Sequence, residues 1–160
     1  MTMRWISSSG GPLIFIPQVA MNEWKGALGD GADYDLACAV ESYAGLIRWN
    51  SIDILVLGDE PLQTAARITP DQLIFVRWMY APDEDSILRC LEPAKLGPPV
   101  EAMRWVVRGA AYVLFDAGGE GSSVQEKIEV PLDTGIYLVA THVVKPQRDV
   151  GAVVHAITRQ

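Results

Sequence analysis

The sequence predicts an α+β domain: mainly an antiparallel curved sheet or sandwich, with two helices from the amino-terminal half packed on it. Three observations predict it. Apolar runs of single-strand length recur along the 160 residues, with no repeat or low-complexity tract between them. Helical spacing of apolar residues occurs in two places, both before Glu92. After Glu92 the segments alternate with a period of two and are joined by short loops, which implies antiparallel pairing. The composition, 49% apolar and 21% charged, is that of an ordinary globular chain. The length suits a single domain over 1–160, with a mixed α/β subregion over 1–92 and an all-strand subregion over 100–160.

The elements follow in order. Pro12 to Pro17, PLIFIP, is a continuous apolar run bounded by prolines and reads as a buried strand. Asp33 can cap a helix starting at Tyr34, with Leu36, Val40, Tyr43 and Ile47 on one face and Gly45 as its stop. Ile52 to Leu57 is a strand. Leu73 to Tyr80, LIFVRWMY, is apolar on both faces and should be an interior strand. Pro82 to Leu91 is a short helix, with Asp83, Glu84 and Asp85 near its amino end, where the helix dipole favours anions. The proline-rich EPAKLGPPVEA then separates the two subregions. Met103, Trp105 and Val107 alternate with Arg104 and Arg108, and RGAA turns the chain into Tyr112 to Phe115. DAGGEGSS is a hairpin loop, and Val124 to Val130 puts Ile128 and Val130 on one face. Ile136 to Val144 and Val150 to Thr158 are two long strands joined by KPQRD.

Charge narrows the function classes. The net charge is −7, and residues 1–100 hold 13 acids and 7 bases against 7 and 6 in residues 101–160. No basic patch of the kind a nucleic-acid binder needs is present. An acidic chain suits a basic partner through electrostatic steering. No apolar run approaches the ~18 residues of a membrane span, and MTMRWISSSGG lacks the apolar core of a signal peptide. A cytoplasmic location is expected, with neither nucleic acid nor membrane as partner. Cys38 and Cys90 lie in apolar helical patterns and read as small buried residues, with no zinc or redox spacing.

Few constellations could carry chemistry. In LVLGDEP, Asp59 and Glu60 end an apolar strand, where a hydrolytic pair could sit. Neighbours on an extended chain point in opposite directions, so the pair reads instead as a loop returning to water, able to bind a partner. Asp83, Glu84 and Asp85 follow Trp78 and Tyr80, and aromatics beside acids are a reasonable binding composition. The candidate partner-binding residues are therefore Asp59, Glu60, Trp78, Tyr80, Asp83, Glu84 and Asp85. If the last two strands pair Lys145 with Val150, His142 and His155 share a face and could hold a metal with a carboxylate. A metal-dependent hydrolase of unknown substrate is the alternative function on that basis. Ser7 to Gly11 precedes a strand and lacks the helix that a phosphate loop requires. No nucleophile-elbow or zinc-protease pattern occurs, and no cofactor is expected.

Four strings together, SSGGPLIFIP, DYDLACAV, LVLGDEP and VRWMYA, resemble the immunity protein 21 family of bacterial polymorphic toxin systems. The resemblance runs from about Trp5 to Val139. It implies a non-catalytic protein that binds and neutralises a cognate toxin in the cell that makes both. It brings no catalytic residues. Toxins that attack nucleic acid must engage phosphate, so a basic toxin is the expected partner.

Overall fold

The computed structural model describes residues 2–58 and 60–160. Among the described residues, ten strands form two five-stranded sheets. The two apolar runs of the amino-terminal half, β1 (Leu13–Pro17) and β3 (Ile52–Leu57), pair antiparallel with Leu13 opposite Leu57. Every residue of β1 is buried, as expected of a run with no polar face. It is the middle strand of the first sheet. β2 (Ala44–Trp49) lies beyond β3, and β7 (Ala111–Asp116) and β8 (Lys127–Pro131) lie on the other side, in the order β2-β3-β1-β7-β8. Ile128 and Val130 are buried on one face of β8.

The first helix is shorter than the apolar spacing predicts. α1 covers Ala32–Cys38, and Ala44–Trp49, including Ile47, is strand. Asn50 and Ser51 both have positive φ, 46° and 66°. That is the requirement of a two-residue hairpin turn, and it folds β2 onto β3 with Trp49 opposite Ile52. Gly45 is not a helix stop. It sits in β2 opposite Val56, where a Cβ would stand 2.7 Å from Val40 Cγ1. Asp33 is not the cap either: Gly31, at φ 71°, takes that position and Asp33 falls in the first turn. Cys38 is exposed at the helix end, contrary to expectation, and Cys90 is buried.

The second sheet has the order β4-β5-β10-β9-β6, from β4 (Thr64–Ile68), β5 (Gln72–Tyr80), β6 (Glu101–Val107), β9 (Gly135–Gln147) and β10 (Val150–Arg159). β5 is interior, as its two apolar faces require. Short helices α2 (Glu84–Arg89) and α3 (Pro93–Leu96) lie between β5 and β6. The fold is thus α+β and mostly antiparallel.

The chain divides into two compact units. Unit 1 comprises residues 1–5, 62–104 and 137–160, and unit 2 residues 6–61 and 105–136. In unit 1, Ile87, Cys90 and Leu91 bury against Ile74, Val76, Ala152 and Val154 of the sheet. In unit 2, Trp24, Ala37 and Trp49 bury against Ile14, Ile16, Ile54 and Phe115. The opposite face of that sheet holds Phe15 between Trp105 and Tyr112, with ring centroids 5.8 and 5.2 Å away.

Candidate functional site

The aromatic and acidic residues around α2 form one connected group in unit 1. Trp78 packs edge-on against Trp5 at 5.3 Å. Glu84 Oε1 accepts hydrogen bonds from the Met3 backbone N–H and from Trp5 Nε1, each 2.8 Å. These bonds hold its carboxyl below the usual range. Asp83 caps α2. Its Oδ1 accepts from Ser86 Oγ at 2.7 Å and from Ser86 N at 2.8 Å, and these bonds lower its pKa. Trp78, Asp83 and Glu84 therefore hold the first residues of the chain and α2 in place. Tyr80, 40% exposed, and Asp85 face water. Glu60 is exposed and belongs to unit 2. Asp59 lies outside the described residues.

The two histidines do not converge. Val150 pairs with Gln147, and an irregularity before Ala152 shifts the register so that His142 faces Val154 and His155 faces Thr141. Cross-strand partners share a face and consecutive residues alternate. His142 and His155 thus lie on opposite faces of the sheet, which corrects the expected pairing of Lys145 with Val150. The shared metal site of the hydrolase alternative is not formed. Among the described residues, no group of three or more potential ligands is found. His155 is fully buried, with Nδ1 2.8 Å from Thr141 Oγ1. Burial pushes its pKa well below the ordinary histidine value, and Arg77 and His142 add to the shift.

Sequence reasoning did not find the segment between β1 and β2. It begins with a 3-10 helix, Gln18–Glu23, and continues through α1. Its buried side chains anchor it. Trp24 Nε1 donates to the Ala117 carbonyl at 2.8 Å, and the Trp24 ring packs against Trp49. Asp33 accepts from Lys25 N at 2.8 Å and from Trp49 Nε1 at 3.1 Å. The loop after β7 closes over the same place: Ala27 N donates to Gly118 O and Gly121 N to Trp24 O. Gly121 is required there because a Cβ would run into the Met21 carbonyl. The outer side is different. Val19 is 95% and Leu28 55% exposed, and Glu23, Asp30, Asp35 and Glu41 are exposed acids. Val19 borders an apolar groove of about 370 Å3 lined by Pro17, Gln18, Gly109, Ala110 and Ala111. The available signal was Val19 and Leu28 standing among acids with no helical partner positions.

A family described as Immunity protein 21 matches residues 4–150. The chain belongs to the immunity protein 21 family. No curated protein and no solved structure matched. The match reaches beyond Val139, where the resemblance of the short strings ended, to the first residue of β10. Among the described residues, no helix of this immunity family member is long and apolar enough to cross a membrane.

The family member's charge is unevenly divided between its units. The residue ranges of unit 2 hold 13 acids and 4 bases, a net −9, and those of unit 1 hold 7 acids and 9 bases, a net +2. Most of the sequence-predicted contact group, Trp78, Tyr80 and Asp83 to Asp85, thus sits on the unit with the smaller and opposite charge.

Proposed function

We propose that this chain binds and neutralises a cognate bacterial toxin, performing no catalysis of its own, in the cytoplasm of the cell that makes both. The family match over residues 4–150 carries this reading. The charge supports a basic toxin. A body of net −9 attracts a cationic partner from beyond contact range and raises the rate of productive encounter. A rigid binding surface also suits inhibition, because ordering costs are met before the partner arrives. The experiment is co-expression with the reading frame beside this chain's gene. The neighbouring product should kill cells when expressed alone, spare them when this chain is present, and co-purify with it at one to one. A harmless neighbour, or one that does not co-purify, would sink the proposal.

A further inference from the structure

We infer that the toxin docks on unit 2, seating an apolar side chain in the Val19 groove while its basic surface faces the carboxylates of the segment between β1 and β2. The inference rests on the toxin-binding reading and adds the place and chemistry of the contact.

The groove is the first observation. Its lining consists of Pro17, Val19, Gly109, Ala110 and Ala111, with Gln18 as the polar member. Small residues leave a shallow apolar depression, and Val19 stands at its edge almost wholly in water. The chain holds this arrangement firmly. Pro17 pairs with Tyr112 at the end of β1, and the Tyr112 hydroxyl donates to the Arg108 carbonyl and accepts from the Arg108 N–H. A fixed apolar edge beside a preformed depression can bury area on a partner with little ordering cost.

Charge complementarity chooses the occupant. The unit bearing the groove carries −9, and the segment that includes Val19 contributes exposed Glu23, Asp30, Asp35 and Glu41 against Lys25. An apolar anchor on a body of strong net negative charge fits a partner with an apolar contact residue and net positive charge. The competing surface, Tyr80 with Asp85, is exposed on unit 1, whose net charge of +2 offers a cationic partner no comparable long-range attraction.

Three variants decide it: Val19→Asp, the set Glu23→Lys, Asp30→Lys, Asp35→Lys and Glu41→Lys, and the control Tyr80→Ala with Asp85→Lys. All the altered side chains are exposed, and Val19→Ala provides a milder second test of the groove. The probe is the protein encoded beside this chain's gene, freed from the co-expressed complex by denaturant and refolded. Rates of binding are followed at low and at physiological salt. Val19→Asp should weaken affinity at least about tenfold, chiefly by faster dissociation, and Val19→Ala should weaken it in the same direction. The four-lysine set should slow association at least about tenfold at low salt. The control should bind like the wild type. Wild-type affinity in Val19→Asp or in the four-lysine set overturns the inference, as does loss of binding confined to the control. A wild-type chain that does not bind the probe would instead overturn the toxin-binding reading, and the inference with it.

Discussion

Mild acidification, above the range in which carboxylates titrate, should destabilise this protein through His155. The ring lies in β10, directly across from Thr141 of β9 and Phe75 of β5, with Arg77 further along β5 and His142 on the other face of β9. Burial is the main cause of its depressed pKa, and Arg77 and His142 add to it; all three oppose the charged ring. An unfolded histidine titrates near about 6.5. Between the folded and unfolded values the unfolded chain holds more protons, so stability rises with pH there. The contribution is complete above the unfolded value and is lost as pH falls from it toward the folded value. One proton sets a ceiling of about 1.4 kcal/mol per pH unit within that window. Against a total stability of about 5–15 kcal/mol, that is a measurable slope. Urea midpoints should be taken at steps from about pH 7.5 to about pH 5 for the wild type and His155→Asn, which keeps a polar group near Thr141. The wild-type midpoint should fall across the acidic steps, and the variant's should fall less steeply. Parallel profiles would refute the account, because they would place the titrating group elsewhere.

Three further outcomes follow from the packing. Asp33→Ala removes the acceptor for both Lys25 N and Trp49 Nε1, and should cost about 1–3 kcal/mol in urea unfolding. Gly121→Ala drives a Cβ into the Met21 carbonyl. It should cost on the order of 1–3 kcal/mol and expose the Ala27 and Gly121 amides to hydrogen exchange, while unchanged protection would count against the loop closure. The chain passes between the two units four times, so neither unit is a continuous stretch of sequence. We propose that they unfold as a single domain, and two separated calorimetric transitions would contradict that.

Strands were legible where a local cause fixes them. The apolar runs at 13–17 and 52–57 and the turn residues around them fix β1 and β3 without help from distant sequence. β2 was not, because Leu36, Val40, Tyr43 and Ile47 fit a helix as well as they fit a helix, a break and a strand. The deciding feature is the Asn50-Ser51 turn, which uses two positive φ values without the glycine that usually marks it. The histidine register failed for a similar reason. The irregularity falls at Gly151, and a Cβ there would meet the Tyr80 ring at 2.8 Å. A contact between residues so far apart in sequence leaves no trace in KPQRD. Within the candidate site, the sequence placed Asp83 near the amino end of the short helix, and the structure makes it the cap, bonded to Ser86 N. The bond from Trp5 to Glu84 spans 79 positions and could not be read.

The same interleaving explains why linear charge counts pointed to the wrong scale. Cut at residue 100, the chain shows an acidic half of −6 and a nearly neutral half of −1. Topology regroups these charges. β7 and β8 join the amino-terminal strands in unit 2 and bring Asp116, Glu120, Glu126, Glu129 and Asp133, while Arg67, Arg77 and Arg89 of the first half go to unit 1. The result is −9 against +2, a larger contrast than the cut at residue 100 shows. Steering acts on charges grouped in space, within a Debye length of about 10 Å at 0.1 M salt. The formal charge is therefore divided by topology between the two units and is not spread evenly over the chain. Because screening confines an exchange's effect to about that range, a single acid-to-lysine exchange should slow association when it lies beside the proposed contact on unit 2 and change it little when it lies far from that contact.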